Sequence, residues 1–132
     1  MEKPISRPMH GFSDWSYIPI VAAAADLFDF RDEPAAVAAT RACSGAVLLS
    51  TLFTRAEWGL FRTMSYRNHL NVDAAVGAFA LAAPWLFGFS GHARARRTLV
   101  TMGLLGLANG LLLSRPEEMP TPPLGPPHPV HR

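Results

Sequence analysis

The residues best suited to chemistry form two His-x-x-x-Asp pairs, His10 with Asp14 and His69 with Asp73. A spacing of four places both side chains of a pair on the same face of a helix. If the pairs converge, two imidazoles and two carboxylates would suit a divalent metal ion or a proton relay. The simpler interpretation is structural: each aspartate favours its helix N-terminus and each histidine forms a local hydrogen bond. The sequence leaves both open and predicts no cofactor.

The two pairs belong to an internal repeat with a period of 59 residues. The same shift places residues 25–30, ADLFDF, on residues 84–89, PWLFGF. Each copy predicts one two-helix hairpin, and two membrane crossings per copy would keep both copies in the same orientation. We therefore predict an all-α fold, a four-helix transmembrane bundle of two tandem helical hairpins related by a pseudo-two-fold axis along the membrane normal.

We expect the two His/Asp pairs to lie on apolar helices, because the chain has few charged residues and most of them lie outside its apolar segments. Only 17% of the residues are charged and 49% are hydrophobic. Between Val72 and Phe89 the only charge is Asp73, whereas a soluble helix needs a polar stripe. Helices are predicted over residues 10–30, 34–53, 69–89 and 98–113, and the third has the length needed to cross a bilayer.

These helices divide the chain into five parts. They are a basic leader (1–9), a first hairpin (10–53), a connecting loop (54–68), a second hairpin (69–113) and a disordered Pro-rich tail (114–132). Seven prolines among the last eighteen residues favour an extended tail. The leader, the loop and the start of the tail hold six basic residues against four in the opposite loops, which favours cytoplasmic termini.

Arg41 is the one basic residue of the second predicted helix. An unpaired charge in a membrane helix costs roughly 2.5–3.5 kcal/mol on insertion scales, so a partner is expected. Asp26 and Asp29 lie near the end of the preceding helix, at a similar depth across a tight hairpin. We predict a structural ion pair between Arg41 and one of them.

Small residues favour close helix packing at two places. Gly106 and Gly110 form a GxxxG pattern in the last helix, where Asn109 would hydrogen-bond to a neighbouring helix. A ridge of small residues at four-residue spacing follows the second helix, at Ala38, Ala42, Ala46 and Ser50. Such faces would contact the helices of this chain, a second copy, or another membrane protein.

The second copy carries a recognisable signature. Its block APWLFGF, with Pro84 and Trp85, follows a helix that opens with HxxxD and resembles the SPW repeat family of small bacterial membrane proteins. In the first copy Ala25 and Asp26 replace Pro-Trp, and Asp29 replaces the glycine. The resemblance covers residues 9–113; it implies a four-helix membrane protein and no particular activity.

The composition excludes several functional classes. A net charge of +2 is too small to indicate nucleic-acid binding, and Cys43, the only cysteine, excludes an intrachain disulfide. No nucleotide-binding, serine-hydrolase or zinc-protease motif is present, so we predict no enzymatic activity. We predict a bacterial inner-membrane protein that is a structural or interaction subunit; the alternative is a small oligomeric transporter or ion/proton carrier that uses the His/Asp pairs.

Overall fold

The computed structural model describes residues 2–122 and residue 125. This part of the chain is all-helical, with no named strand. Its five helices are α1 (Arg7–Ala22), α2 (Ala24–Leu27), α3 (Pro34–Phe53), α4 (Tyr66–Leu86) and α5 (Ala93–Leu107), and a π-helical segment (Ala108–Leu113) continues α5. Helix α1 packs on α3, α4 packs on α5, and α3 packs on α4. The helices therefore form two hairpins, with the short α2 completing the first.

Local signals set helix bounds that differ from those predicted. Ser6 and Ser65 accept hydrogen bonds from the backbone N–H groups of Met9 and Asn68, so α1 and α4 begin three residues before the predicted starts. Pro19 lies inside α1, and the predicted first helix is divided at Ala23 into α1 and α2. The last helix begins at Ala93 and not at Thr98, because Nδ1 of His92 accepts a hydrogen bond from the Ala95 N–H group and caps the helix there.

The two hairpins turn in the same way at equivalent positions. Asp29 and Gly88 both have positive φ, 56° and 73°, directly after the helix ends. The next residue donates back into the helix in each copy, Phe30 to the Ala25 carbonyl at 3.0 Å and Phe89 to the Pro84 carbonyl at 2.9 Å. Aspartate is one of the few residues with a side chain that tolerates this conformation, so the turn persists without the glycine.

The helices also end in equivalent pairings at the opposite end of the molecule. Thr54 forms an isolated bridge with Met64, and Ser114 forms one with Ile5. Ile5 and Met64 are 59 positions apart, but Thr54 and Ser114 are 60 apart. The π-helical segment explains the extra residue, because its wider turn accommodates one residue more than an α-helix.

The interior combines aromatic residues with small ones. Phe30 and Phe89 are both buried beneath the hairpin turns. Helices α4 and α5 approach so closely that a Cβ on Gly103 would lie 2.6 Å from the Leu81 nitrogen, and one on Gly110 would lie 2.9 Å from the Leu70 oxygen. Gly106, the other half of the predicted GxxxG pattern, faces the Gly77 Cα, so its face also contacts α4.

Large apolar side chains are exposed while polar ones are buried. Exposed residues on four helices include Phe12, Ile20, Leu49, Trp85, Leu104 and Leu112. Buried polar residues include both His-x-x-x-Asp pairs, Thr40, Ser44, Ser50 and Thr51. In the described part of the chain, one helix, Pro34–Phe53, is long and apolar enough by length and composition alone to cross a membrane.

The predicted Arg41 ion pair does not form among residues 2–122. Arg41 is exposed, whereas Asp26 pairs with Arg31 and Asp29 pairs with Arg94 of the other hairpin. Arg31 follows the turn directly, so it reaches Asp26 without crossing to α3. The prediction was wrong because it used only the depth of the residues along the hairpin. Ion pairing also depends on which face of the helix each residue occupies.

The small-residue ridge on α3 is divided between two faces. Ala38 and Ala42 are exposed, whereas Ser50 is buried. The face of α3 turned toward the interior carries Ala36, Ala39, Cys43 and Val47. The exposed part of the ridge is therefore left largely uncovered by the described residues of this chain.

The first residues of the predicted disordered tail lie against the loop and the helix starts. Glu118 accepts hydrogen bonds from the backbone N–H groups of Tyr66 at 2.9 Å and Arg67 at 3.1 Å. Arg55 donates to the Met119 carbonyl at 2.8 Å. A carboxylate at the N-terminus of α4 is favourable, which helps to hold this segment. Residues 123–124 and 126–132 of the tail lie outside the described part.

Candidate functional site

Four buried side chains meet where α1 and α4 approach each other. His10 and His69 are fully buried, and Asp14 and Asp73 are 5% and 6% exposed. One possible ligand atom of each residue lies within 4.8 Å of one from every other member. We call this group the His/Asp cluster. The structure thus brings the two sequence pairs to a single point.

Both imidazoles turn the same ring nitrogen toward the centre of the cluster. The two Nε2 atoms lie 3.2 Å apart. Nε2 of His10 lies 2.8 Å from Asp73 Oδ2 and 3.2 Å from Asp14 Oδ2. Nε2 of His69 lies 2.7 Å from Asp14 Oδ2 and 3.2 Å from Asp73 Oδ2. Each aspartate contacts both histidines, so the cluster is one connected unit.

The other ring nitrogens contact hydroxyl groups from the ends of the opposite hairpins. Nδ1 of His10 lies 2.7 Å from Ser114 Oγ, just after the π-helical segment. Nδ1 of His69 lies 2.8 Å from Ser50 Oγ and 3.0 Å from Thr54 Oγ1, at the end of α3. Every ring nitrogen of the cluster therefore has a defined neighbour, which fixes the orientation of both rings.

Asp73 contributes a fully buried oxygen, Oδ1, that has no hydrogen-bond partner among the described residues. Leaving a buried carboxylate oxygen unpaired costs free energy, so native structures rarely contain one without a reason. This atom marks the place where the cluster has capacity for a further interaction.

Aromatic rings cover the cluster on the side of the connecting loop. The Trp58 ring lies 5.1 Å from that of His69, and the Tyr66 ring stacks on His69 at 6.0 Å. Trp58 is held by a hydrogen bond from Nε1 to the Arg7 carbonyl at 2.9 Å. Gly11 makes room for it, because a Cβ there would lie 2.1 Å from the Trp58 ring. The rings exclude solvent from this side.

An ion pair fixes the loop that carries this cover. Arg7 donates to both carboxylate oxygens of Glu57, at 2.8 Å from Nε and 2.6 Å from Nη2. This bidentate hydrogen bonding from the guanidinium holds the pKa of Glu57 below its usual value. Because Glu57 is half-exposed, the pair contributes little free energy but a definite orientation.

The model of one protein family, the SPW repeat domain, matches residues 19–113, which is more than half of the chain. The chain belongs to the SPW repeat family. The family is one of membrane proteins of unknown function, so the match supports a membrane location for this SPW repeat protein and assigns it no activity. No curated protein and no solved structure matches the chain. His10 and Asp14 precede the matched residues, whereas His69 and Asp73 lie within them.

The residues that give the SPW family its signature lie far from the His/Asp cluster. Pro84 is buried near the end of α4, where its carbonyl closes the hairpin turn. The neighbouring Trp85 is 61% exposed. In this SPW repeat protein the signature therefore shapes the turn at the end opposite the cluster.

Access to the cluster is asymmetric in this SPW repeat protein. Helix α3 packs on α4. In the repeat α1 and α5 are the equivalent pair of helices, but the seam between them is open. A cavity of about 300 Å³ in this seam is lined by both aspartates of the cluster. A second cavity of about 670 Å³ shares Ser13, Tyr17, Met102 and Leu105 with the first and extends toward Arg97. An opening thus leads from the outer surface of the helices to the carboxylates.

Sequence reasoning missed the hydroxyl and aromatic neighbours of the cluster. Asn109 was singled out as an interhelical hydrogen bonder, and its Nδ2 donates to Ser13 at 3.4 Å. The sequence places Ser114 in the predicted tail, although its hydroxyl contacts Nδ1 of His10 in the structure. The repeat gave no signal for Ser114, because the 59-residue shift pairs it with Arg55 and not with Thr54.

Proposed function

We propose that the protein is a multi-pass protein of the bacterial inner membrane that binds one divalent transition-metal ion in its His/Asp cluster. Its two hairpins would be related by a pseudo-two-fold axis along the membrane normal, with both termini in the cytoplasm. The lipid bilayer is its main surrounding partner, and the proposal includes neither an enzymatic reaction nor nucleic acid. The convergence of the two His-x-x-x-Asp pairs at one buried point carries this proposal.

The spacing of the ligand atoms supports a four-coordinate ion. Bonds of about 2.0 Å from zinc to nitrogen or oxygen place tetrahedral ligand atoms about 3.3 Å apart. The two Nε2 atoms are 3.2 Å apart, and the contacts between nitrogen and oxygen range from 2.7 to 3.2 Å. All four ligand atoms lie within 4.8 Å of one another, so an ion at the centre would draw the two carboxylates together, and Asp73 Oδ1 offers a further ligand.

The ligand types and the charge support the class of ion. Two imidazoles with two carboxylates suit zinc, cobalt, manganese or iron better than the all-oxygen sites preferred by magnesium and calcium. Two carboxylates also balance the charge of a divalent cation. A neutral site matters here, because an uncompensated charge buried among membrane helices is costly.

The open seam between α1 and α5 supports a role as an ion carrier. Asp14 and Asp73 line its inner cavity, so an ion would reach the carboxylates without displacing Trp58. The second candidate, a structural or interaction subunit, is favoured by the exposed ridge at Ala38 and Ala42, which suits contact with another helix. An ion that joins the two hairpins is compatible with both roles.

Metal content separates a binding site from a purely structural cluster. The protein, purified in detergent, is dialysed against zinc and its bound zinc is counted per chain. We expect one ion in the natural protein and in His92→Gln, whose histidine pairs with Asp32 away from the cluster. The double variant His10→Gln/His69→Gln should lose that ion. Equal zinc in all three proteins, or none in the natural protein, would overturn the proposal.

A further inference from the structure

We infer that Thr54 and Ser114 are positioning residues that keep a hydrogen on Nδ1 of each cluster histidine, so that Nε2, which faces the centre in both rings, is the nitrogen that binds the ion. The inference rests on the proposed metal site and deepens it. A histidine ligates a metal through the nitrogen that carries no hydrogen, and the partner of the other nitrogen decides which one that is.

The hydroxyl beside His10 has already used its single hydrogen. Ser114 Oγ donates to Asn109 Oδ1 at 3.1 Å. A hydroxyl has one hydrogen and two lone pairs, so Ser114 can only accept from Nδ1 of His10, which lies 2.7 Å away. His10 therefore carries a hydrogen on Nδ1, and Nε2, which faces the two carboxylates, is the nitrogen that can release its hydrogen to bind an ion.

The same arrangement holds His69 with a different acceptor. Thr54 Oγ1 donates to the Ser50 backbone carbonyl, which can only accept. A lone pair on Nδ1 of His69 would face a Thr54 lone pair at 3.0 Å, whereas an N–H group there is satisfied. Ser50 Oγ, at 2.8 Å, accepts from the same N–H group. Thr54 thus decides the position of the hydrogen.

Each positioning residue comes from the hairpin opposite to its histidine. Thr54 follows the first hairpin and supports His69, whereas Ser114 follows the second and supports His10. The π-helical segment puts Ser114 at this place, because the 59-residue shift alone would leave Leu113 equivalent to Thr54. A π-helical turn at a functional site is a recurrent use of this rare element.

The state of both rings is measurable without metal. Nitrogen-15 NMR of the imidazoles in detergent should show a hydrogen on Nδ1 of both His10 and His69 in the natural protein. Adding zinc should move the Nε2 signals and leave the Nδ1 signals in place. In Thr54→Val the acceptor that requires a hydrogen on Nδ1 of His69 is gone, so Ser50 can donate to Nδ1 and this nitrogen should lose its hydrogen.

Affinity provides the second measurement. Loss of a group that orients a metal ligand typically weakens binding roughly 10- to 100-fold. We expect losses of this size for zinc in Thr54→Val and Ser114→Ala, and near-natural affinity in Thr54→Ser, which retains the hydroxyl. Thr40→Val and Ser44→Ala are matched controls, because both hydroxyls are buried and donate to backbone carbonyls away from the cluster.

The two measurements separate this inference from the proposed function. Hydrogen on Nδ1 in a protein that binds no zinc would overturn the metal site and support the positioning role. Zinc binding with natural affinity in Thr54→Val and Ser114→Ala would overturn the positioning role and keep the metal site. Absence of a hydrogen from Nδ1 of either histidine in the natural protein would also overturn the inference.

Discussion

At the scale of single residues, the His/Asp cluster could be predicted only in part. The i, i+4 spacing and the repeat identified all four members, because helix geometry and a shared depth follow from the sequence. Thr54, Ser114 and Trp58 could not be predicted, because hydroxyl and aromatic residues are common and their approach depends on how the hairpins pack. The failed Arg41 pair shows the same limit, since pairing depends on which helix face a residue occupies.

Gly11 tests the aromatic cover of the cluster. Gly11→Ala would place a Cβ 2.1 Å from the Trp58 ring, so the ring must move or the helix must shift. Such overpacking typically costs about 1–3 kcal/mol, and we expect a lower Tm and a more solvent-exposed Trp58 by fluorescence. Gly45→Ala is the matched helical control, because its Cβ would meet no atom within 4 Å. An unchanged Tm in Gly11→Ala would contradict the close packing.

Glu57 gives the loop a defined response to acid. Its pKa is lowered by Arg7 in the folded protein, so the pair stabilises the fold above the unfolded-state pKa of Glu57. That contribution is lost as the pH falls through the lowered folded-state pKa. We expect Glu57→Gln to have a slightly lower Tm than the natural protein at pH 7 and the same Tm in strong acid. A difference that persists in acid would assign the effect to something other than the charge.

At the scale of elements, the helices followed from the sequence better than their ends did. The bounds of α3 agree with the predicted residues 34–53, because Pro34 and the polar turn before it mark the start clearly. The other starts differ because serines cap α1 and α4 and His92 caps α5. The one-residue insertion of the π-helical segment could not be predicted, because no residue type marks it.

The turn residues of the two hairpins make an element-scale test. Asp29 adopts the left-handed conformation that Gly88 adopts in the other copy, and a side chain in this conformation costs roughly 1–2 kcal/mol. We expect Asp29→Gly to raise Tm and Gly88→Ala to lower it. The surface pair of Asp29 with Arg94 is exposed and offsets little of this gain. A lower Tm in Asp29→Gly together with a higher Tm in Gly88→Ala would contradict the equivalence of the two turns.

At the scale of the whole molecule, the family match and the exposed apolar side chains support a location in the membrane. The match to the SPW repeat family and the exposed apolar side chains agree with each other, although one helix alone has the composition of a span. The sequence predicted the repeat because the hairpins retain equivalent caps and turns. It could not predict the open seam between α1 and α5, because that asymmetry arises from packing between the copies.

Orientation is testable by labelling in intact bacterial cells. In a Cys43→Ala background, single cysteines replace Arg62, on the side of the termini, and Arg94, at the opposite turns. An impermeant maleimide should label Arg94→Cys in intact cells and Arg62→Cys only after the cells are opened. The reverse pattern would place the termini and the cluster on the outer side.

The central claim is that two histidines and two aspartates of one chain bind a single ion. X-ray absorption at the zinc edge of the dialysed protein measures this ligand set directly. We predict a first shell of two imidazole nitrogens and two carboxylate oxygens at about 2.0 Å, without sulfur. A shell of six oxygens, or a shell unchanged in His10→Gln/His69→Gln, would contradict the account.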